Sequence, residues 1–202
     1  MAIIELAHVQ LKDGLTTSDP VLLKNLKAVK SVIEKHSKLP TQFFEQTDDP
    51  TMLFMVGAWP NKETSQHGFN GSPHQGEILD LVKDQMGIDW VHYMDIDQNA
   101  IPIHAPLLAI VKGEFPKHVN RAIADQDFKT IAQGLGETRY AAVSAWNLRK
   151  DKHEPDVKVH FSGWESLDKA TEGLVGLIEN PHDFTAEPTL VNIFVTKKVE
   201  LD

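Results

Sequence analysis

The stretch Pro50-Thr-Met-Leu-Phe-Met-Val-Gly-Ala-Trp59 returns in outline 105 residues later as Pro155-Asp-Val-Lys-Val-His-Phe-Ser-Gly-Trp164. Each is a proline-marked turn followed by a short, largely apolar run ending on tryptophan, the pattern of a strand that leaves a hairpin turn. In the first copy Leu53 and Met55 fall on one side of the strand and Phe54 and Val56 on the other, so both faces need covering. Ahead of it, Thr41 to Thr47 is a partner strand across Asp48-Asp49-Pro50. Further out, Ile3 to Leu11 is short and apolar enough for a strand, and Lys12-Asp13-Gly14 supplies a turn. Asp19-Pro20 marks a helix start. Leu22, Leu26, Val29 and Ile33 then fall on one helical face, which Pro40 ends. A second helix is expected at about Gly76 to Met86, with Ile78, Leu81, Val82 and Met86 together, and a closing strand at Asp89 to Asp95.

The same order surrounds the second copy. Pro106 to Glu114 reads as a strand, Pro116 to about Gln133 as a helix ended by Gly134-Leu135-Gly136, and Tyr140 to Arg149 with Val157 to Trp164 as a hairpin. A helix with Leu167, Ala170, Leu174 and Leu177 on one face follows, then a strand at Thr189 to Val199. A Pro-His pair also recurs, at Pro73-His74 and Pro181-His182. Residues 98–105, with Pro102 and no periodicity, read as a linker. The expectation is an α+β fold of two ferredoxin-like β-α-β-β-α-β repeats, residues 1–97 and 106–202, packed sheet to sheet as a pseudo-dimeric α+β barrel.

Composition narrows the chemistry. The 202 residues carry 20 Lys+Arg against 29 Asp+Glu, a formal charge of −9 with no basic run, which argues against nucleic acid or an anionic membrane as partner. With no cysteine there is no disulfide framework, thiolate metal site or cysteine nucleophile. The N-terminal residues have no basic segment followed by a long apolar run, so a cytoplasmic protein is expected. No P-loop, GxGxxG or GxSxG motif supports nucleotide, dinucleotide or serine-hydrolase chemistry. Asp95-Ile96-Asp97 at a strand end is a weak metal candidate, and His153-Glu154 reads as an exposed turn, so neither a metal nor a cofactor is expected.

Residues 58–82, AWPNKETSQHGFNGSPHQGEILDLV, resemble the strand-to-helix segment of antibiotic biosynthesis monooxygenase (ABM) domains and of the related stress-responsive dimeric α/β-barrel proteins, through Trp59, Glu63, Phe69, Ser72, Pro73 and His74. The second repeat matches at Gly163, Trp164, Glu165 and Ser166, but its Pro-His pair follows its helix instead of preceding it. The resemblance implies a pocket between sheet and helices. In some members such a pocket performs cofactor-independent oxygenation of phenolic substrates; others cyclise or cleave polyketide-like intermediates, bind haem, or have no known catalysis. The implied function is a cofactor-independent monooxygenase of small-molecule metabolism, with a cyclase, a lyase or a non-catalytic ligand-binding or stress-response protein as alternatives.

Such chemistry needs a base, a donor for the resulting oxyanion, and aromatic walls. Ten histidines against two tyrosines make imidazole the first candidate. His74, at the motif and at a helix start, is the first choice for the base, with helix capping or solvation as the plainer alternative. His8 and His92, in the middle of their strands, could converge on one cavity or be core histidines, and His160 is weighed the same way. His67 is placed in a lid or loop. Trp59, Phe69, Trp90 and Tyr93 are expected to hold a flat ligand, with core packing as the alternative. The expected partners are a small aromatic or apolar ligand in the first repeat and, through an exposed helix face, a second copy as a homodimer.

Overall fold

The computed structural model describes residues 2–134, 140, 142–148, 154–179 and 184–201. The chain divides into two compact units, Met1–Gln98 with Lys197–Asp202, and Asn99–Thr196. Both are mixed α+β, and each follows the β-α-β-β-α-β order of a ferredoxin-like repeat.

In the first unit the strands are β1 (Ile3–Leu11), β2 (Thr41–Gln46), β3 (Met52–Trp59) and β4 (Met86–Met94), and the helices are α1 (Pro20–Ser37) and α2 (Pro73–Val82). The strands lie in the order β4-β1-β3-β2, all antiparallel, with Glu5 between Gly57 of β3 and Tyr93 of β4. Helix α1 starts where Asp19 Oδ1 accepts from the backbone N–H groups of Val21 and Leu22, both at 2.8 Å. It ends at Lys38, whose φ of 60° puts it in the left-handed region, and it buries Leu22, Leu26, Val29 and Ile33. The chain's last residues return to this unit: Val199 N–H donates to the Phe43 carbonyl at 2.8 Å, and Lys197 pairs with the buried Glu45 at 2.8 Å.

Three boundaries differ from expectation. Helix α2 begins at Pro73 and stops at Val82, and Met86 already belongs to β4. Ser72 Oγ accepts from Gln75 N–H at 3.3 Å and Pro73 occupies the first turn, so capping chemistry sets the start three residues earlier than apolar spacing suggested. The glycine-rich stretch before it is not a plain loop: Thr64–Phe69 forms one π-helical turn, closed by Asn70 N–H donating to Ser65 O at 2.9 Å.

The second unit has β5 (Leu107–Phe115), α3 (Arg121–Gly134), β6 (Ala142–Trp146), β7 (Asp156–Trp164), α4 (Leu167–Glu179) and β8 (Leu190–Lys198), with strand order β8-β5-β7-β6. Helix α3 starts at Arg121 and not at Pro116, after Asn120 Oδ1 has accepted from Ala122 N–H at 3.0 Å. Its core is closely filled: Phe115, Ala124, Phe128, Trp164, Ala170 and Leu174 form one buried cluster between sheet and helices. A Cβ on Gly173 of α4 would overlap the Trp164 ring, so the indole lies directly against that helix. The 98–105 segment contains a short 3-10 turn, Gln98–Ala100, and buries Ile101 and Ala105. His153, the Pro181-His182 pair, Leu135 and Gly136 lie outside the described residues. No helix among the described residues is long and apolar enough to cross a membrane.

Candidate functional site

Strand periodicity decides what meets the space under α1 and α2. On β1 the residues Glu5, Ala7 and Val9 point toward the helices, joined by Met55 and Trp59 of β3 and by Val91 of β4. Opposite them stand Val29 and Ile33 of α1, Ile78 and Val82 of α2, and Phe69 from the π-helical turn. Between these layers is a cavity of about 330 Å³, walled almost wholly by apolar side chains. Leu79 and Ile88, 42% and 56% exposed, are among its lining residues, so it opens to solvent on that side.

One ionisable group stands deep inside. Glu5 is buried on β1, and burial pushes its carboxyl up to about 7, because the ionised form has lost its water. Two groups pull the other way. Ser65 Oγ, fully buried in the π-helical turn, donates to Glu5 Oε2 at 3.2 Å. The indole N–H of Trp59 also favours the carboxylate, although it does not reach hydrogen-bond geometry and its Nε1 is left without a partner. A second polar strand of contacts closes one wall: Gln75 Nε2 donates to Asn70 Oδ1 at 3.0 Å, and Asn70 Nδ2 donates to the Tyr93 hydroxyl at 3.1 Å. The arrangement offers a proton acceptor poised near neutral pH, an adjacent N–H donor, and apolar walls for a ligand body.

The candidates read from the sequence divide between this cavity and other places. Trp59 and Phe69 line it, with ring centroids 5.1 Å apart. Tyr93 sits beside Glu5 in the sheet and joins through Asn70. His74 is not on the cavity wall: it lies in the first turn of α2, about half exposed, 3.7 Å from Glu77 and with its ring tilted against that of His36, centroids 4.3 Å apart. His36 in turn leans on Phe69 at 5.5 Å, so His74 stands one layer behind the wall. His67 is exposed on the π-helical turn. His8, Trp90 and His92 occupy the sheet face turned away from α1 and α2, one residue out of phase with Glu5, Ala7 and Val91. There they stack in a column, with His8 to Trp90 5.1 Å and Trp90 to His92 4.6 Å. His8 Nδ1 also meets Asp89 Oδ2 at 3.1 Å. In the second unit His160 is buried against Phe128, and burial, with Lys158 nearby, pushes its pKa down to about 4.

Glu5 and Ser65 were absent from the sequence reading. Glu5 interrupts an apolar strand, Ile-Ile-Glu-Leu-Ala, and a carboxylate within a strand whose faces are both to be buried is the signal that could have found it. Ser65 carried no such signal, because only the π-helical turn brings it inward. No group of three or more His, Cys, Asp or Glu side chains among the described residues could hold a metal ion. The cavity lining offers no histidine, cysteine or tyrosine to a haem iron, so the residues present do not fit that group.

No protein-family model matches the chain, and no curated protein matches it closely enough to count as a relative. Solved structures do. A provisionally named monooxygenase of Fusobacterium nucleatum superposes with a TM-score of 0.60 at 8% identity, covering 98% of this chain and 93% of that one. An anthrone oxidase-like protein superposes at 0.57 with 10% identity over 98% and 92% of the two chains. A mutant chlorite dismutase from Candidatus Nitrospira defluvii superposes at 0.63 with 12% identity over 100% and 92%. At such identities the likeness is one of fold alone: the chain shares the ferredoxin-like α+β architecture of these structures.

Proposed function

We propose that this chain is a small-molecule enzyme whose first-unit cavity takes a phenolic or enolisable substrate, and that its reaction is a cofactor-independent oxygenation of the ABM type. The observation that carries the reading is the buried Glu5 carboxyl, raised to about 7 at the polar end of an apolar cavity. A carboxylate in water is too weak a base to compete for an enolic proton, whereas one made more basic by desolvation removes it while still being ionised at neutral pH. The fold shared with provisionally named monooxygenases and an anthrone oxidase-like protein is compatible with this chemistry. Likeness of fold does not choose a reaction, and the support for this one comes from the site.

The steps follow from the residues. Glu5 takes a proton from the substrate, Ser65 holds the carboxyl through Oε2, and the indole N–H of Trp59 steadies the oxyanion that develops. The electron-rich enolate or phenolate then reduces dioxygen. At an activated CH2 one oxygen atom becomes the new C=O, and the other leaves as water with that carbon's two hydrogens. Water is kept from the reacting carbon by the apolar walls of Val29, Ile33, Phe69 and Ile78.

The test is oxygen uptake on anthrone, measured against buffer alone because anthrone also oxidises slowly by itself. One O2 consumed per anthraquinone formed is expected, with kcat/KM rising through about pH 7 as Glu5 ionises. Glu5→Gln should lower the rate by at least about a hundredfold, with circular dichroism unchanged. Substrate turnover without oxygen uptake would reassign the same base to a cyclase or lyase, and an enolisable panel that is bound but never turned over would leave a binding protein.

A further inference from the structure

We infer that Asn70 is a latent self-modification site: attack by the Gly71 backbone nitrogen converts its side-chain amide to aspartate or isoaspartate at the cavity wall, and Gln75 is the clasp that delays this. The modification is independent of the functional reading above; only its effect on turnover rests on that reading.

Asn70 is the one asparagine in the chain followed by glycine. A glycine nitrogen has no Cβ beside it to hinder attack on the preceding side chain. Gly71 has a φ of 78°, and a Cβ built on it would meet nothing within 4 Å, so no neighbouring side chain blocks a turn of this peptide. The step needs only water as co-reactant. The Gly71 nitrogen gives up its proton and bonds to Asn70 Cγ, and the side-chain nitrogen leaves as ammonia. Water then opens the five-membered imide at one or other carbonyl, giving aspartate or isoaspartate.

The folded chain holds the reacting groups out of line. Gln75 Oε1 accepts from Gly71 N–H, the nucleophile, at 2.6 Å, and Gln75 Nε2 donates to Asn70 Oδ1, on the carbonyl to be attacked, at 3.0 Å. Asn70 Nδ2, the leaving nitrogen, donates to the Tyr93 hydroxyl at 3.1 Å. Asn70 has a ψ of 130°, whereas ring closure brings the Gly71 nitrogen round until it eclipses Asn70 Cβ. That rotation breaks the grip of Gln75 on both partners, so the reaction waits for the clasp to open.

Asn70 and Gln75 both line the cavity, and Asn70 reaches the surroundings of Glu5 by two routes. Its backbone N–H donates to Ser65 O at 2.9 Å, and Ser65 Oγ donates in turn to Glu5. Its side chain meets Tyr93, which pairs with Glu5 across the sheet. A carboxylate in its place cannot donate to Tyr93, and it adds a negative charge to the apolar cavity, which opposes ionisation of Glu5. Isoaspartate also lengthens the backbone by one carbon at the bond that closes the π-helical turn. Both products work against the base.

Peptide mapping by mass spectrometry tests this on the intact chain held at pH 8, beside a synthetic peptide of residues 63–83. A gain of one dalton should appear at Asn70 before any other asparagine, at least about tenfold more slowly than in the peptide, since two hydrogen bonds must open first. Gln75→Ala should speed it at least about threefold in the folded protein. Should that variant fail to fold, Gln75→Glu still accepts from Gly71 but no longer donates to Asn70, and should also speed it. Asn70→Asp makes one product directly and should carry the Glu5-dependent fall in stability, followed by urea unfolding, to higher pH. No gain at Asn70 while the peptide converts fully would overturn the proposal. Equal rates in protein and peptide, or a rate indifferent to Gln75, would remove the clasp, and an unshifted stability profile in Asn70→Asp would remove the effect on Glu5. Modification without any turnover on the enolisable panel sinks the enzyme reading alone, whereas turnover with Asn70 unmodified sinks this inference alone.

Discussion

Glu5 is the residue whose environment contradicts its chemistry, and that leaves a thermodynamic trace independent of any substrate. In the folded protein its carboxyl keeps a proton up to about pH 7, and in the unfolded chain only to its ordinary value of 4.5. Between those values the folded state holds the extra proton, so stability falls as pH rises through the window, by up to about 3 kcal/mol once Glu5 is fully ionised. Glu5→Gln should remove that slope and be the more stable protein at pH 8, as measured by urea unfolding at pH 5 and pH 8. The same contacts set the direction of a finer test. Ser65 favours the ionised form, so Ser65→Ala should move the acid limb of the pH profile upward from its starting point near 7, leaving its shape unchanged.

At the scale of elements, the two helix layers differ in what they leave beneath them. In the first unit the chain between β3 and α2 spends six residues on a π-helical turn, which carries Ser65 and Phe69 inward and delays α2 until Ser72 caps it. The short α2 and the small side chain of Ala7 leave a space that large residues do not fill. In the second unit α4 starts at Leu167, three residues after β7, and lies so close to the sheet that Gly173 accommodates the Trp164 ring. Gly173→Ala should therefore destabilise the protein by about 1–3 kcal/mol through overpacking, even though alanine is the better helix former. An unchanged unfolding midpoint would mean that the helix and the indole separate easily, and that the second unit is less tightly closed than its geometry indicates.

For the molecule as a whole, the comparison of halves predicts opposite consequences for two formally equal substitutions. Trp164→Phe should cost stability, because it strands the buried Ser162 hydroxyl and loosens the α4 contact, yet leave phenol binding as it was. Trp59→Phe removes the indole donor that stands beside the Glu5 carboxyl. It should change the unfolding midpoint little and lose most of the affinity for a phenolic ligand such as 4-propylphenol. Running calorimetry and thermal unfolding on both variants decides whether ligand recognition belongs to the first unit. Loss of binding in both, or in Trp164→Phe alone, would place it elsewhere.

Periodicity and turn chemistry are local quantities, and what rests on them was legible in the sequence. The apolar face of α1 with its Asp19-Pro20 start, the proline-led strands ending on Trp59 and Trp164, and the order that repeats around them follow from interactions within a few residues. Trp59 and Phe69 could be expected on a pocket wall because large aromatic side chains near a strand end and a helix start have few other places to go. The choice among ionisable residues could not be made in that way. Whether a side chain on β1 faces the helices or the opposite side depends on which strands flank it and in what register, and a single residue of phase separates Glu5 from His8. His74 has the right neighbours in sequence and stands outside the cavity, because helix α2 presents its first turn to His36 and solvent. The basicity of Glu5 is a property of surroundings drawn from separate strands and helices, and desolvation exists only once those segments have packed. Residue types and spacing therefore determined the architecture and the neighbourhood of the cavity. Only the tertiary structure, by removing water from one carboxyl and setting an indole N–H beside it, decided which groups in that cavity are chemically exceptional.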